Sequence, residues 1–264
     1  MTVSTAFDKA RADQRAALVG YLPAGFPTVD GGIEAMRVLV DAGCDVIEVG
    51  LPYSDPVMDG PTIQAAAQRA LEGGVRTRDV LRTVEAVAAT GTPTVVMTYW
   101  NPVGRYGVER FAADLASAGG SGLITPDLTP DSGAEWIAAA DARDLDKVFL
   151  VAPSSTDERI AMTAAACRGF VYATAVMGVT GARATTSDLA GPLVARTQAV
   201  TATPVAVGVG VSTGGQAAEV AAYADGVIVG SALVRCLLDH DDPAQGRAAL
   251  ARLTDDLARG VRRA

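Results

Sequence analysis

The chain of 264 residues holds one histidine, His240, and only two lysines, Lys9 and Lys147. A single histidine excludes any centre that needs two. His240 also lies among Asp239, Asp241 and Asp242, in a charged stretch that reads as a helix end, which weakens any Ser–His–Asp arrangement. The three cysteines, Cys44, Cys167 and Cys236, are odd in number and none belongs to a CxxC pair. A disulfide framework and a zinc site are both disfavoured, and no metal is expected. Basic residues are outnumbered 22 to 30, a net charge of −8, which argues against a nucleic-acid surface. Long apolar runs are missing too. The uncharged stretches 86–104 and 197–218 are broken by Gly, Pro, Thr or Asn, the first by Asn101-Pro102, so neither reads as a membrane span. Residues 2–15 mix Asp8, Lys9, Arg11, Asp13 and Arg15 with alanines, which suggests a short polar helix instead of a secretory leader. A soluble, cytoplasmic protein is the expectation.

What is present is a repeat of short apolar runs: Ala17–Leu22, Asp45–Gly50, Thr94–Tyr99, Gly122–Thr125, Val148–Ala152, Phe170–Thr174, Val205–Val209 and Gly226–Gly230. Alanine-rich stretches of helical spacing lie between them, as in Ile33, Met36 and Val40 with polar Arg37 beside them. Strands buried on both faces read as continuous apolar runs. Eight such units in 264 residues average 33 each, close to one βα repeat. The economical reading is a single (β/α)8 TIM-barrel domain over 1–264, with an extra N-terminal helix and an extra helix, about Thr62–Glu72, after strand 2. A doubly wound open sheet is the alternative. Long loops at Leu51–Pro61 and Met177–Thr186 follow the second and sixth strands, at the end of a barrel where function gathers. The final helix, about Pro243–Arg263, reads as a solvated face.

Two groups of residues carry chemistry. Gly208-Val209-Gly210-Val211-Ser212 follows the seventh strand, and Gly230-Ser231 opens a helix after the eighth. Glycines let backbone N–H groups approach an anion, and a helix N-terminus adds a favourable dipole. Phosphate binding is one reading; tight turns are the other. At the second strand, Glu48 interrupts an apolar run, and a buried carboxylate is costly unless paired or functional. Facing the barrel interior, its acidity would be weakened by desolvation, which suits proton donation near neutral pH. The alternative is a structural glutamate satisfied by an arginine. Asp59, in the loop Leu51–Pro61, is a second candidate carboxylate, although Asp-Gly-Pro before a helix also fits turn and capping chemistry. Asp55 and Asp127 fit that structural role better or equally well.

These motifs resemble the tryptophan synthase alpha subunit family over essentially the whole chain. They are Val46-Ile47-Glu48-Val49-Gly50-Leu51-Pro52-Tyr53-Ser54-Asp55-Pro56, Asp59-Gly60-Pro61-Thr62-Ile63-Gln64, Met97-Thr98-Tyr99-Trp100-Asn101-Pro102, Tyr172 with Gly178-Val179-Thr180-Gly181, Gly208–Ser212 and Gly230-Ser231. The resemblance implies retro-aldol cleavage of indole-3-glycerol phosphate to indole and glyceraldehyde 3-phosphate. It implies Glu48 as general acid/base and Asp59 as acceptor of the indole N–H. It further implies that Tyr172 orients the glutamate or packs on substrate, and that Met97 and Tyr99 line the indole pocket. Tyr21 stands beside the ring, where many relatives have phenylalanine. Thr180 lies on a closing loop, and Gly181, Gly208, Gly210, Gly230 and Ser231 surround the phosphate. No cofactor is implied for this chain, pyridoxal phosphate belonging to a beta subunit that receives indole in an alpha2-beta2 heterotetramer. The regions Pro52–Pro61 and Asn101-Pro102 would lie near that interface.

Lys9 and Lys147 both precede strands, so neither suits a Schiff-base aldolase. Two departures from the family are Phe26, expected in a surface loop, and Val209, expected in the pocket wall. Competing readings are a stand-alone indole-releasing lyase, a partner-activating binding protein and another phosphate-binding barrel. Glu48 together with Asp59 disfavours the pure binder, and the Asp59 loop disfavours the other barrel.

Overall fold

The fold is that of a computed structural model, which describes residues 2–174 and 187–262. The strands are β1 (Ala17–Pro23), β2 (Val46–Gly50), β3 (Thr94–Met97), β4 (Gly122–Ile124), β5 (Asp146–Val148), β6 (Leu150–Val151), β7 (Val171–Thr174), β8 (Val205–Gly208) and β9 (Gly226–Val229). All pair in parallel, in the order β5-β4-β3-β2-β1-β9-β8-β7-β6. The two ends of that ladder, β5 and β6, are separated in the chain only by Phe149. They are the halves of one stave, so the sheet closes into the expected eight-stave barrel, and the open-sheet alternative falls.

Side-chain alternation sorts the buried residues into two layers. Val19, Val46, Val95, Ile124, Val148, Ala206 and Ile228 fill the barrel interior. Leu18, Ile47, Val96, Leu123, Val207 and Val227 face outward into a continuous layer beneath the helices. The outer ring includes α2 (Val29–Asp41), α4 (Thr77–Ala88), α6 (Val108–Ser117), α7 (Ala134–Asp141), α8 (Asp157–Ala166), α9 (Ser187–Gln198), α10 (Gly214–Ala221) and α11 (Ser231–Leu238). The extra helix after β2 is α3 (Pro61–Glu72); a short helix, α5 (Trp100–Tyr106), follows β3, and α12 (Pro243–Gly260) ends the chain.

The N-terminal helix α1 (Val3–Ala12) is less polar than its charges suggest. Val3, Ala6, Phe7 and Ala10 recur at helical spacing and join the interior layer, with the Phe7 ring 5.4 Å from Phe170. It plugs the bottom of the barrel. Ion pairs brace the same end: Arg15 holds Asp45 with two bonds of 2.6 and 2.8 Å, and Lys147 pairs with Asp141. Lys147 lies within β5 and does not precede a strand, yet it is at this bottom end, far from Schiff-base use. The helix α12 is more than a solvated face, because Asp256 accepts from the Gly214 N–H at 2.7 Å and so caps α10. Phe26 is a further correction: it lies in the loop between β1 and α2, as expected, but its side chain is buried in the outer layer and is not at the surface.

Candidate active site

The open end of the barrel holds a cavity of about 1080 Å³, counting its mouth. Tyr21, Glu48, Asp59, Met97, Tyr99, Tyr172, Gly208, Gly210, Gly230 and Ser231 all line it. Thr180 and Gly181 lie outside the described residues. The cavity also takes in residues to which the sequence reading gave no individual role, among them Leu51, Met58, Ile63, Leu150 and Ile228. Their signal was apolar character combined with position, at strand ends, in the loop after β2 or in the first turn of α3.

Strand alternation places Glu48. Val46, Glu48 and Gly50 share the inner face of β2, and Glu48 is only 1% exposed. Its Oε1 has no hydrogen-bond partner among the described residues, so no arginine satisfies it. Burial lifts the carboxyl to about 8, so it keeps its proton at neutral pH.

Asp59 is set differently. Its Oδ1 accepts a hydrogen bond of 2.9 Å from the Tyr99 hydroxyl, which itself accepts from the Met58 N–H at 3.0 Å. Burial raises the Asp59 carboxyl above its ordinary value, and the Tyr99 bond opposes that rise. The Asp59 backbone carbonyl accepts 2.7 Å from Gln64 Nε2, which ties the loop to α3. Asp127 is resolved as structural: its Oδ1 caps α5 by accepting from the Trp100 N–H at 2.8 Å. Asp55 is exposed and bonded to the Ser54 hydroxyl at 2.5 Å.

Two phenols flank Glu48. Burial first, then nearby carboxylates, holds Tyr21 and Tyr172 well above the usual phenol range, so both remain O–H donors. A Cβ on Gly50 would overlap the Tyr21 hydroxyl, and one on Gly208 would overlap that of Tyr172. These glycines are what let the rings lie across the neighbouring strands. Gly208 therefore has a reason for its identity besides an anion. Gly210 is open, with φ +76° and nothing within 4 Å of a Cβ built there. Ser231 opens α11, whose N-terminus faces the cavity. Val209 belongs to the outer layer and not to the cavity wall, which corrects the sequence expectation.

No group of three His, Cys, Asp or Glu side chains among the described residues is placed to hold a metal ion. No helix among them is long and apolar enough to cross a membrane.

The family model for the tryptophan synthase alpha chain matches residues 7–262. The tryptophan synthase alpha chain of Salinispora arenicola is 64% identical over 260 residues, covering 98% of this chain and 97% of the relative. That of Acidothermus cellulolyticus is 62% identical over 261 residues, covering 99% and 97%. Among solved structures, Mycobacterium tuberculosis tryptophan synthase superposes with a TM-score of 0.93 at 57% identity, covering 99% of this chain and 98% of that one. The tryptophan synthase a2b2 complex of Pyrococcus furiosus gives 0.86 at 34%, covering 92% and 98%. With two carboxyl groups, three phenols and an open helix N-terminus gathered at the mouth of a closed barrel, and with full-length matches on both chains, this protein is a member of the tryptophan synthase alpha chain family.

Proposed function

We propose that Glu48 and Asp59 carry out the reaction of this family in the cavity at the top of the barrel. As a tryptophan synthase alpha chain, the protein is a carbon–carbon lyase that cleaves indole-3-glycerol phosphate, and the indole goes to the beta subunit. The observation that carries the residue assignment is the contrast between the two carboxyl groups. One is sealed, unpaired and protonated; the other is hydrogen-bonded and nearer solvent. Environments that separate two acids in this way assign the acid and the base.

In the first step Glu48 gives its proton to C3 of the indole ring. The product is an indoleninium whose positive charge rests on the ring nitrogen. Asp59 accepts the hydrogen bond of that N–H and stabilises the charge. In the second step the Glu48 carboxylate takes the proton of the hydroxyl on the carbon attached to C3. The C–C bond breaks, its electron pair returns to the ring, and the carbinol carbon becomes the aldehyde of glyceraldehyde 3-phosphate. Glu48 ends protonated, so the cycle balances without another reactant. Met97, Leu150 and Ile228 offer the apolar walls an indole needs, and Gly210, Gly230 and Ser231 offer backbone and hydroxyl donors to the phosphate. Thr180 and Gly181 are proposed as further substrate contacts from the family motif alone, since they lie outside the described residues. The chain's own step needs no cofactor; pyridoxal phosphate is assigned to the beta partner, and the setting is cytoplasmic.

The test is indole release from indole-3-glycerol phosphate by the purified chain, alone and with a tryptophan synthase beta subunit, for the wild type and for Glu48→Gln. The expected result is partner-accelerated turnover that Glu48→Gln abolishes while phosphate-ligand binding persists. Near-normal turnover by Glu48→Gln overturns the acid–base role.

A further inference from the structure

The three phenols of the cavity are not equivalent. The Tyr99 hydroxyl is already committed, accepting from the Met58 N–H and donating to Asp59. Those of Tyr21 and Tyr172 make no hydrogen bond among the described residues. Tyr172 stands across the barrel from β2, on β7, with its hydroxyl over Gly208 of β8 and Glu48 as its one charged neighbour. Tyr21 leans onto β2 itself. It is the register partner of Glu48 in the β1–β2 ladder. The base of its side chain passes Gly230, where a Cβ would meet Tyr21 Cδ1 at 3.3 Å, and its tip lies on Gly50. Gly50 is the next inward-facing residue after Glu48, about 7 Å along β2, within reach of a glutamate side chain. The ionisable groups that act on the Tyr21 hydroxyl are Asp59 from the loop, Glu48 from β2, Tyr99 from beyond β3 and Tyr172 from β7. Glu48 Oε1, meanwhile, has no partner among the described residues.

We propose that Tyr21 is a positioning residue of the acid–base pair: its hydroxyl, held over Gly50, donates a hydrogen bond to the Glu48 carboxylate once that group has given up its proton. The proposal rests on the reading of Glu48 as the acid. A hydrogen bond to the charged form favours that form. Tyr21 thus eases the first proton transfer without touching the bonds that break, and it opposes the burial that would otherwise hold the proton too tightly. The same bond must loosen when Glu48 is reprotonated, which a neutral phenol permits and a fixed cation would not.

The experiment is the pH profile of kcat/KM for indole-3-glycerol phosphate cleavage in the complex with the beta subunit. The enzymes compared are the wild type, Tyr21→Phe, Glu48→Gln and a protein with 3-fluorotyrosine at position 21. Loss of the donor should move the alkaline limb, where Glu48 loses its proton, up by about one unit and lower kcat roughly tenfold. Fluorotyrosine keeps the ring and is a stronger donor, so it should move that limb down. Coincident profiles overturn the proposal, as does movement of the acidic limb alone, which would put the hydroxyl on Asp59. If Glu48→Gln still turns over, the underlying acid assignment fails. If Glu48→Gln is dead while neither change at position 21 moves the limb, only the role of Tyr21 fails.

Discussion

On the inner face of β2, burial holds the Glu48 carboxyl near 8, whereas in an unfolded chain it would titrate at the ordinary glutamate value. A carboxyl raised in the folded state binds its proton more tightly there. Its unfavourable contribution is therefore absent below about pH 4.5, grows as the pH rises towards 8 and is constant above that. At pH 7 the difference amounts to about 3 kcal/mol against stability. Glu48→Gln should thus be more stable than the wild type by roughly that amount at pH 7, and nearly equal to it at pH 4, in urea unfolding monitored by circular dichroism. A variant no more stable at pH 8 than the wild type would mean that a partner satisfies the carboxylate. The same residue predicts a kcat/KM that falls as Glu48 deprotonates above about pH 8. Asp59→Asn keeps the size of the side chain but removes the charge proposed to stabilise the indoleninium. It should lower kcat/KM by about 10² to 10⁴ with little change in Tm. A loss below tenfold would count against its role.

The elements divide the molecule into a stable bottom and a reactive top. Phe7 of α1 is buried at the bottom, stacked on Phe170. Phe7→Ala should destabilise the protein by about 3–5 kcal/mol and leave kcat within about twofold, because the cavity left is at the opposite end from the chemistry. A large fall in kcat at full stability would show that α1 acts on the site. The barrel itself was legible in the sequence because strands covered on both faces must be apolar, and eight such runs recur along the chain. Boundaries were less so. The fifth run begins at Asp146 and breaks at Phe149, and polar Asp146 and Lys147 conceal its start because bottom-end ion pairs satisfy them. The helix α1 looked polar because its charges occupy one face while its apolar residues plug the barrel. Glu48 was legible as a charge inside an apolar strand. Asp59 was legible through the family motif and not through its own surroundings, since Asp-Gly-Pro also builds turns. The partners of these residues were not legible. Tyr21 over Gly50 and Tyr99 on Asp59 are contacts between distant segments, which no local pattern encodes.

At the scale of the whole molecule, a barrel plugged at one end by α1 has its mouth as the way in and out for substrate, and that mouth borders a second surface. Tyr53, Asp55, Asn101, Pro102 and Arg105 line a polar hollow beside it. Asn101 Nδ2 donates to the Tyr53 hydroxyl at 3.1 Å, and the Tyr53 ring lies 5.4 Å from that of Tyr99. Tyr99 in turn holds Asp59. The hollow thus connects, through two aromatic rings, to Asp59, the residue proposed above to accept the indole N–H. Both regions expected from the sequence at a beta-subunit interface meet here. A protein seated on this hollow would press on Tyr53 and so bear on the geometry of Asp59, which gives a physical route for a partner to raise turnover. Arg105 is an exposed cation on that surface and takes no part in the cavity. Arg105→Glu should leave indole release by the isolated chain unchanged. It should raise the beta-subunit concentration needed for half-maximal activation by roughly tenfold, most strongly at low salt. Titrating the beta subunit into each variant while following indole release separates the outcomes. Unchanged half-activation would move the docking surface away from this hollow, and a fall in the basal rate would mean that Arg105 supports the site directly.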